Sequence, residues 1–283
     1  MQVLSGAEVS TSIREKIQSE VSSFEIKPCL AVILVGEDPA SHVYVRNKQR
    51  ACEQVGFSSK KIELPIDASQ DQVESAIRQL NTDTDVHAIL LQLPLPKQLN
   101  EFSAINTIDP NKDADCLTTY NSGLFYMGKS PVQPCTPWGV MEILKYYEFN
   151  LEGASALVIG RSHIVGKPVS LMLQKANATV TMAHSRTINL KELCQKADFI
   201  VVAAGKPEFL NASDFSENAV VIDVGIHQKG IAESGKAKLC GDVDFNSAKD
   251  KVKAITPVPG GVGPMTITML LKNTLACFKS LNS

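Results

Sequence analysis

The sequence lacks an excess of charge of either sign. Its 283 residues carry 28 Lys plus Arg against 30 Asp plus Glu, a formal net charge of −2. The basic excess that favours nucleic-acid or anionic-membrane binding is therefore missing. No apolar run is long enough to span a bilayer. The first twenty residues include Glu8, Arg14, Glu15, Lys16 and Glu20, which leaves no room for the apolar core of a signal peptide. Seven cysteines (Cys29, Cys52, Cys116, Cys135, Cys194, Cys240 and Cys277) are scattered, odd in number and without a Cys-x-x-Cys pair. That pattern fits neither a disulfide framework nor a zinc site and predicts idle thiols in a reducing compartment. Neither a repeat nor a low-complexity stretch occurs. What remains, 44% hydrophobic and 20% charged, is an ordinary soluble globular composition, longer than one typical domain. A cytoplasmic location is expected, with neither nucleic acid nor membrane as partner.

Apolar spacing organises the chain. Val9, Ile13, Ile17 and Val21 fall four apart and predict an amphipathic helix. Pro28 ends that region. Leu30–Val35 (LAVILV) then reads as a strand buried on both faces, because its apolar character is continuous rather than alternating. A helix is expected from about Ser41 to Val55, stopped by Gly56. Lys61–Leu64 is a short strand, Val73, Ile77 and Leu80 mark a helix, and Ala88–Leu93 a further strand. Residues 106–136 lose this rhythm and collect Pro110, Gly123, Gly128, Pro131 and Pro134, so a connecting, site-forming region is expected there. A helix from about Pro137 to Tyr147 leads into a second alternation. It runs through strand Ala156–Ile159, a helix near Val169–Ala176, strand Thr179–Ala183, and a helix near Leu190–Ala197. Strands Phe199–Ala203 and Val220–Val224 follow, and a helix pattern from Pro264 to Phe278 closes the chain. The fold class is α/β, in two α/β domains.

Chemistry-bearing residues sit at the ends of these elements. After the first strand of the second half comes Gly160-Arg161-Ser162-His163-Ile164-Val165-Gly166. This keeps the outer glycines of a dinucleotide-type turn, which brings backbone amides and a helix start up to a pyrophosphate. A plain βα turn has the same look, so the turn alone does not decide. The next strand ends in Ala183-His184-Ser185-Arg186 and offers no carboxylate to ribose hydroxyls. Arg161, Ser162, Ser185 and Arg186 suit a 2′-phosphate instead, which favours NADP over NAD if a cofactor binds.

In the first half, Tyr44 and Lys48 are four apart on one helix face. A half-buried tyrosine beside a solvated lysine is one reading. An aromatic stacking surface beside an amine that acts as acid or base is the other. Gln92 interrupts an apolar strand before Leu93-Pro94-Leu95-Pro96, as a structural amide or a residue of a site at the strand's carboxyl end. Asp113 and Asp115 follow Pro110, where turn chemistry is the ordinary role. Residues 257–266 pack Pro257, Pro259, Pro264, Gly260, Gly261 and Gly263 ahead of a helix, which serves a hinge or a close backbone approach to a ligand.

Taken together, these segments resemble the bifunctional methylenetetrahydrofolate dehydrogenase/cyclohydrolase family over essentially the whole chain, in order. The likeness rests on Gly36-Glu37-Asp38-Pro39-Ala40-Ser41 with Tyr44 and Lys48, on Gln92-Leu93-Pro94-Leu95-Pro96, and on Lys112-Asp113-Ala114-Asp115. It continues through Pro134-Cys135-Thr136-Pro137, Gly160-Arg161-Ser162 with Val165-Gly166-Lys167-Pro168, Asp223-Val224-Gly225-Ile226, and the segment from Pro257 to Thr266. The resemblance implies an N-terminal three-layer folate-site domain over 1–136, with 264–283 packing back on it. A Rossmann-like NADP-binding domain would cover 137–263. It implies oxidation of 5,10-methylenetetrahydrofolate to the methenyl form with NADP⁺, then hydrolysis to 10-formyltetrahydrofolate. By match of motif Lys48 is the acid/base, Gln92 bonds to it and tunes its charge, and Tyr44 stacks on the folate. Asp115 accepts hydrogen bonds from the pterin, while Leu91, Leu93, Gly263 and Pro264 complete the substrate contacts. Gly160, Arg161, Ser162, Ser185 and Ile226 hold the cofactor. No metal is implied, and a homodimer is expected from the family.

One departure stands out: the family usually has glycine after the aspartate matching Asp115, and here it is Cys116, while Ala114 replaces a usual valine. A positive φ at that position would strain a cysteine. The rival readings are a dehydrogenase with a weakened hydrolytic step and a non-catalytic nucleotide- or folate-binding protein. The presence of both Lys48 and Gln92 speaks against each. The length leaves no room for the formyltetrahydrofolate ligase domain that some relatives carry, so any ligase is expected to be a separate protein.

Overall fold

The computed structural model describes residues 1–231 and 237–282. The chain opens with strand β1 (Gln2–Val3) and helix α1 (Gly6–Ser22). Then come β2 (Cys29–Val35), α2 (Pro39–Val55), β3 (Ser58–Leu64), α3 (Gln70–Thr82) and β4 (Ala88–Leu91). Helices α4 (Glu101–Thr107), α5 (Thr119–Tyr126) and α6 (Cys135–Tyr146) lead to the second half. There β5 (Ser155–Ile159), α7 (Gly166–Lys175), β6 (Thr179–Ala183), α8 (Leu190–Lys196), β7 (Phe199–Val202) and β8 (Val220–Asp223) follow. The last elements are β9 (His227–Ile231), β10 (Ala237–Cys240), α9 (Phe245–Ala248), β11 (Ala254–Ile255) and α10 (Val262–Leu281).

These elements form two compact units, Ser12–Cys135 with Ile267–Ser283, and Met1–Thr11 with Thr136–Thr266. In the first unit a parallel sheet of order β3-β2-β4 is centred on β2, whose Val32 pairs with Lys61 and with Leu90. All seven residues of β2 are buried. Ala31, Ile33 and Val35 pack with Val73, Ile77 and Leu80 of α3 and Ala104 of α4, while Leu30, Val32 and Leu34 are buried on the opposite face. A strand covered on both faces needs no polar alternation, which is why β2 reads as an unbroken apolar run. Helix α3 carries a complete capping box, Ser69 exchanging bonds with Gln72.

The second unit holds a parallel sheet of order β1-β11-β8-β7-β5-β6 and a separate antiparallel pair, β9 and β10. From β5 the chain passes to β6 on one side and then to β7 on the other, so the strand order reverses beside β5. In open α/β sheets that reversal creates a crevice at the strands' carboxyl ends. Residues 1–11 were expected with the N-terminal domain. They belong to this unit because β1 hydrogen-bonds in parallel to β11, with Gln2 opposite Ala254.

The region 106–136, expected to be irregular, contains α5, capped by Thr118. Its tyrosines, Tyr120 and Tyr126, are 62% and 74% exposed, so the helix carries no apolar stripe that could announce it. Helix α10 starts at Val262, which places Gly263 and Pro264 in its first turn.

Gly56 ends α2 at φ 80°, with its N–H bonded to Cys52 O and Glu53 O. A Cβ there would meet only Val21 Cγ1, at 3.8 Å, so the cost of a side chain is conformational alone. Gly56→Ala is expected to lower the unfolding free energy by about 1 kcal/mol, read as a shifted urea midpoint at unchanged slope.

Candidate active site

Helix α2 starts at Asp38, whose carboxylate accepts from Ser41 N (2.8 Å) and Ser41 Oγ (2.7 Å), with Pro39 pre-set for the first turn. One turn on, Tyr44 is 41% exposed, and a turn later comes the partly buried Lys48. Lys48 Nζ donates to Gln92 Oε1 at 2.7 Å. Gln92 Nε2 in turn donates to Leu93 O at 2.6 Å, which fixes the amide with its oxygen toward the amine. Gln92 N still bonds to Ile33 O, so the glutamine sits where β4 leaves the sheet, at its carboxyl end. Leu91 is buried within the strand and Leu93 is half-buried beyond it.

The segment 113–118 is organised by Asp113, only 1% exposed. Its carboxylate accepts from the N–H groups of Asp115 (3.3 Å), Leu117 (3.2 Å) and Thr118 (2.9 Å). Thr118 Oγ1 (2.8 Å) and Asn121 Nδ2 (3.1 Å) add to these. Asp113 therefore builds the turn, its carboxylate taken up by the chain's own donors, whereas Asp115 is left partly exposed. Cys116 lies within this turn at φ 57°, the left-handed conformation that glycine adopts at least cost. Its side chain is 1% exposed, so the strained residue is held by the packing around it.

Burial pushes the Lys48 amine below the usual lysine range, and the charges of Asp115 and Cys135 act against that shift. Burial pushes the Asp115 carboxyl upward, opposed by the Cys135 thiol, by Lys48 and by the Cys135 N–H, which reaches Asp115 Oδ1 at 3.2 Å. The arrangement can hold and release a proton on Lys48 beside an amide acceptor and a carboxylate. Cys135 was named only as part of a motif. Its contact with Asp115 across 20 residues has no signature in spacing.

In the second unit the turn after β5 leaves no space for a side chain at its two glycines. A Cβ on Gly160 (φ 128°) would lie 2.2 Å from Ala203 O, and one on Gly166 would lie 2.2 Å from Gly160 O. Ser162 Oγ accepts from Val165 N (3.2 Å) and Gly166 N (3.3 Å), so the residue in the middle-glycine position closes the turn and takes up the first N–H of α7. Arg161 and Ser162 after β5 and Ser185 after β6 are exposed at the carboxyl ends of paired strands. Ile226, 40% exposed, follows β8. A Cβ on Gly263 would lie 3.4 Å from Ile226 Cδ1, which makes these two residues neighbours.

Two carboxylates to which sequence reasoning gave no role shape this end of the sheet. Asp242, fully buried, accepts from the N–H groups of Ala204 (2.6 Å), Gly205 (3.0 Å) and Lys206 (2.9 Å), and pairs with His227 Nε2 at 2.7 Å. Asp223 accepts from Gly225 N (2.9 Å), Asp242 N (3.0 Å) and Val243 N (2.8 Å). Burial raises its carboxyl to about 6 against the pull of the amides from Val243 and Asp242. Together they fix the loops on either side of Ile226. Among the described residues no group of His, Cys, Asp and Glu has the arrangement to hold a metal ion, and no helix is long and apolar enough to cross a membrane.

A parallel sheet with a dinucleotide-type turn in one unit, and a partly buried lysine–amide pair at a strand end in the other, place this chain among α/β proteins of the nucleotide-binding class, with a lysine able to hold and release a proton. Comparison with known families specifies it further. The model for the tetrahydrofolate dehydrogenase/cyclohydrolase catalytic domain matches residues 4–115. That for the NAD(P)-binding domain of the same family matches residues 134–282. The chain belongs to the tetrahydrofolate dehydrogenase/cyclohydrolase family. It is 48% identical over 280 residues to the bifunctional protein FolD of Agathobacter rectalis, covering 98% of this chain and 99% of that one. The crystal structure of the bifunctional FolD from Campylobacter jejuni superposes with a TM-score of 0.92 at 43% identity, covering 99% of each chain. The Trypanosoma brucei FolD structure, complexed with NADP cofactor and inhibitor, gives 0.93 at 36% identity over 98% of this chain and 97% of that one.

Asp242→Ala would leave three backbone amides and His227 without their acceptor. A loss of about 3–5 kcal/mol in unfolding free energy is expected, with a smaller loss for Asp242→Asn, both measured by urea denaturation.

Proposed function

We propose that this chain is a bifunctional one-carbon folate enzyme. It oxidises 5,10-methylenetetrahydrofolate with NADP⁺ to the 5,10-methenyl cation and hydrolyses that cation to 10-formyltetrahydrofolate. The observation that carries the reading is the Lys48 amine, held 2.7 Å from Gln92 Oε1 and subject to the Asp115 charge.

The residues after β5 and β6 fit a phosphorylated dinucleotide. The glycine turn admits no Cβ at either end, and the end of β6 offers Ser185 and Arg186 rather than a carboxylate. Gly160, Arg161 and Ser162 would hold phosphate groups, Ser185 the ribose side, and Ile226 the far end of the cofactor. When bound, NADP⁺ supplies a hydride acceptor. The chain's own part in the first step is positioning: Tyr44 offers an aromatic face to the flat folate, and Asp115 offers acceptors to the pterin N–H groups. Leu91 and Leu93 border the same region, and the family resemblance adds Gly263 and Pro264 to the substrate contacts.

The hydrolytic step needs a proton moved. Water adds to the cationic methenyl carbon, forming a C–O bond, and the neutral Lys48 amine takes the proton released. As the carbon–nitrogen bond of the ring breaks, the departing nitrogen gains a proton and the new hydroxyl loses one to become the formyl group. A lysine lowered by burial is neutral over more of the working pH range than a solvated one. Gln92 accepts from the protonated amine, which keeps it aimed after it has taken the proton. A homodimer in the cytoplasm is part of the same reading, supported by the family resemblance and the thiol pattern, and light scattering checks the first.

An absorbance assay with methylenetetrahydrofolate, following methenyl formation and decay, tests both activities. Lys48→Met is expected to slow methenyl hydrolysis at least about 10²-fold while the protein folds and binds NADP; unchanged hydrolysis would overturn the role. The hydrolysis rate of the native protein should rise with pH and level off below the pH at which free lysine titrates, because the amine acts unprotonated. NADP⁺ is expected to outperform NAD⁺ by about tenfold or more in kcat/KM, and parity would remove the cofactor assignment.

A further inference from the structure

Asn273 lies on α10, fully buried, and far in sequence from Lys48, Gln92 and Asp115. Its side-chain oxygen accepts from Gln133 N at 3.1 Å. Its side-chain nitrogen donates to Gln133 O (2.7 Å), Ala114 O (2.9 Å) and Cys135 Sγ (3.4 Å). Both polar atoms of the amide are thus engaged, and none of the partners is on its own helix. A helix interior rarely keeps an asparagine for helix formation, since the residue competes with the backbone for hydrogen bonds.

The partners share one property: they flank Asp115. Ala114 is the residue before it. Cys135 donates its N–H to Asp115 Oδ1 at 3.2 Å, its thiol acts on the same carboxylate, and its Sγ also reaches Ala114 O at 3.5 Å. Gln133 leads into Cys135 and is gripped through both its N–H and its C=O. The carboxylate is therefore set between two backbone segments, 113–116 and 133–135, and one side chain bonds to both.

The segment 113–116 has a reason to need such a hold. Cys116 keeps φ at 57°, a conformation that a non-glycine residue leaves unless its surroundings over-determine it. Asp113 secures the following side of the turn through Leu117 and Thr118. Asn273 secures the preceding side through the Ala114 carbonyl.

We infer that Asn273 is a positioning residue for the substrate carboxylate, holding Asp115 in register by tying segments 113–116 and 133–135 to α10. The inference rests on the proposed reading of Asp115 as the folate-binding carboxylate. Only an uncharged side chain with donor and acceptor at this reach serves. Leucine has the same branching at Cγ with neither, and aspartate would set its oxygens against the carbonyls of Ala114 and Gln133.

The test is steady-state kinetics of Asn273→Leu, with Asn273→Ser as the smaller variant should the first not fold. The KM for methylenetetrahydrofolate is expected to rise about tenfold or more, as displacement of a positioning group does, with the KM for NADP⁺ within about twofold of native. A purely structural role would instead lower the active fraction and leave both KM values in place. In an Asp115→Ala background, Asn273→Leu should add little, because the group it positions is gone. A native folate KM in the folded single variant, or a full further loss in the double variant, would overturn the inference. Absence of methylenetetrahydrofolate oxidation by the native protein would instead overturn the proposed function, so the two failures are distinct.

Discussion

A carboxylate taken out of water must be given hydrogen-bond donors or lose its charge, and in this protein the nearest donors are backbone amides. Asp113, Asp223 and Asp242 are each at most 3% exposed, and each gathers N–H groups from the loop that leaves a strand or turn. Helices and strands satisfy their own backbone; loops at strand ends do not. Wrapping such a loop around a buried acid solves both problems at once and leaves it one conformation. Asp113 does this for the segment that presents Asp115. Asp223 and Asp242 do it for the segments beside Ile226. The scaffold of both sites is thus electrostatic as much as hydrophobic, and the apolar cores beneath supply the low dielectric that makes the arrangement strict.

The same physics acts on Lys48 with the opposite sign of charge. Burial disfavours the ammonium, Asp115 favours it, and Gln92 accepts from it without adding charge. A second carboxylate in place of the amide would favour the protonated amine further. A leucine there would leave the amine without its acceptor. A neutral, oriented amide leaves the amine able to change protonation state, which is what the proposed hydrolytic step requires of it.

Much of the fold was legible because its signals are local. The unbroken run in β2, the apolar stripes of α1 and α3 at spacings of four and three, and the glycine stop of α2 each follow from short-range pattern. Tyr44 and Lys48 could be placed on one face for the same reason, and Gln92 stood out as an amide in an apolar strand. What spacing could not show is long-range. Lys48 meets Gln92 across 44 positions, and Asn273 meets Gln133 across 140. Helix α5 escaped notice because its two tyrosines face solvent and it shows no apolar stripe. Strand β1 escaped because two residues cannot show a period, although its pairing with β11 moves the chain's start into the second unit. Asp115 was legible only through its motif, since nothing in its spacing separates it from the structural Asp113.

The scattered cysteines, which carry no disulfide or zinc pattern, acquire a different meaning once placed. All seven are buried. Burial pushes the thiols of Cys52, Cys116, Cys194 and Cys277 up to about 12, and raises Cys135 and Cys240 as well. In these six, thiolate, the reactive form, is scarce in the native state. Alkylation of the folded protein is then timed by opening motions rather than by sulfur chemistry. Cys194 and Cys240 belong to the unit with the dinucleotide-type turn, and the other five to the unit with Lys48. The order in which the seven sulfurs become labelled is thus a map, written into the chain itself, of which unit breathes first.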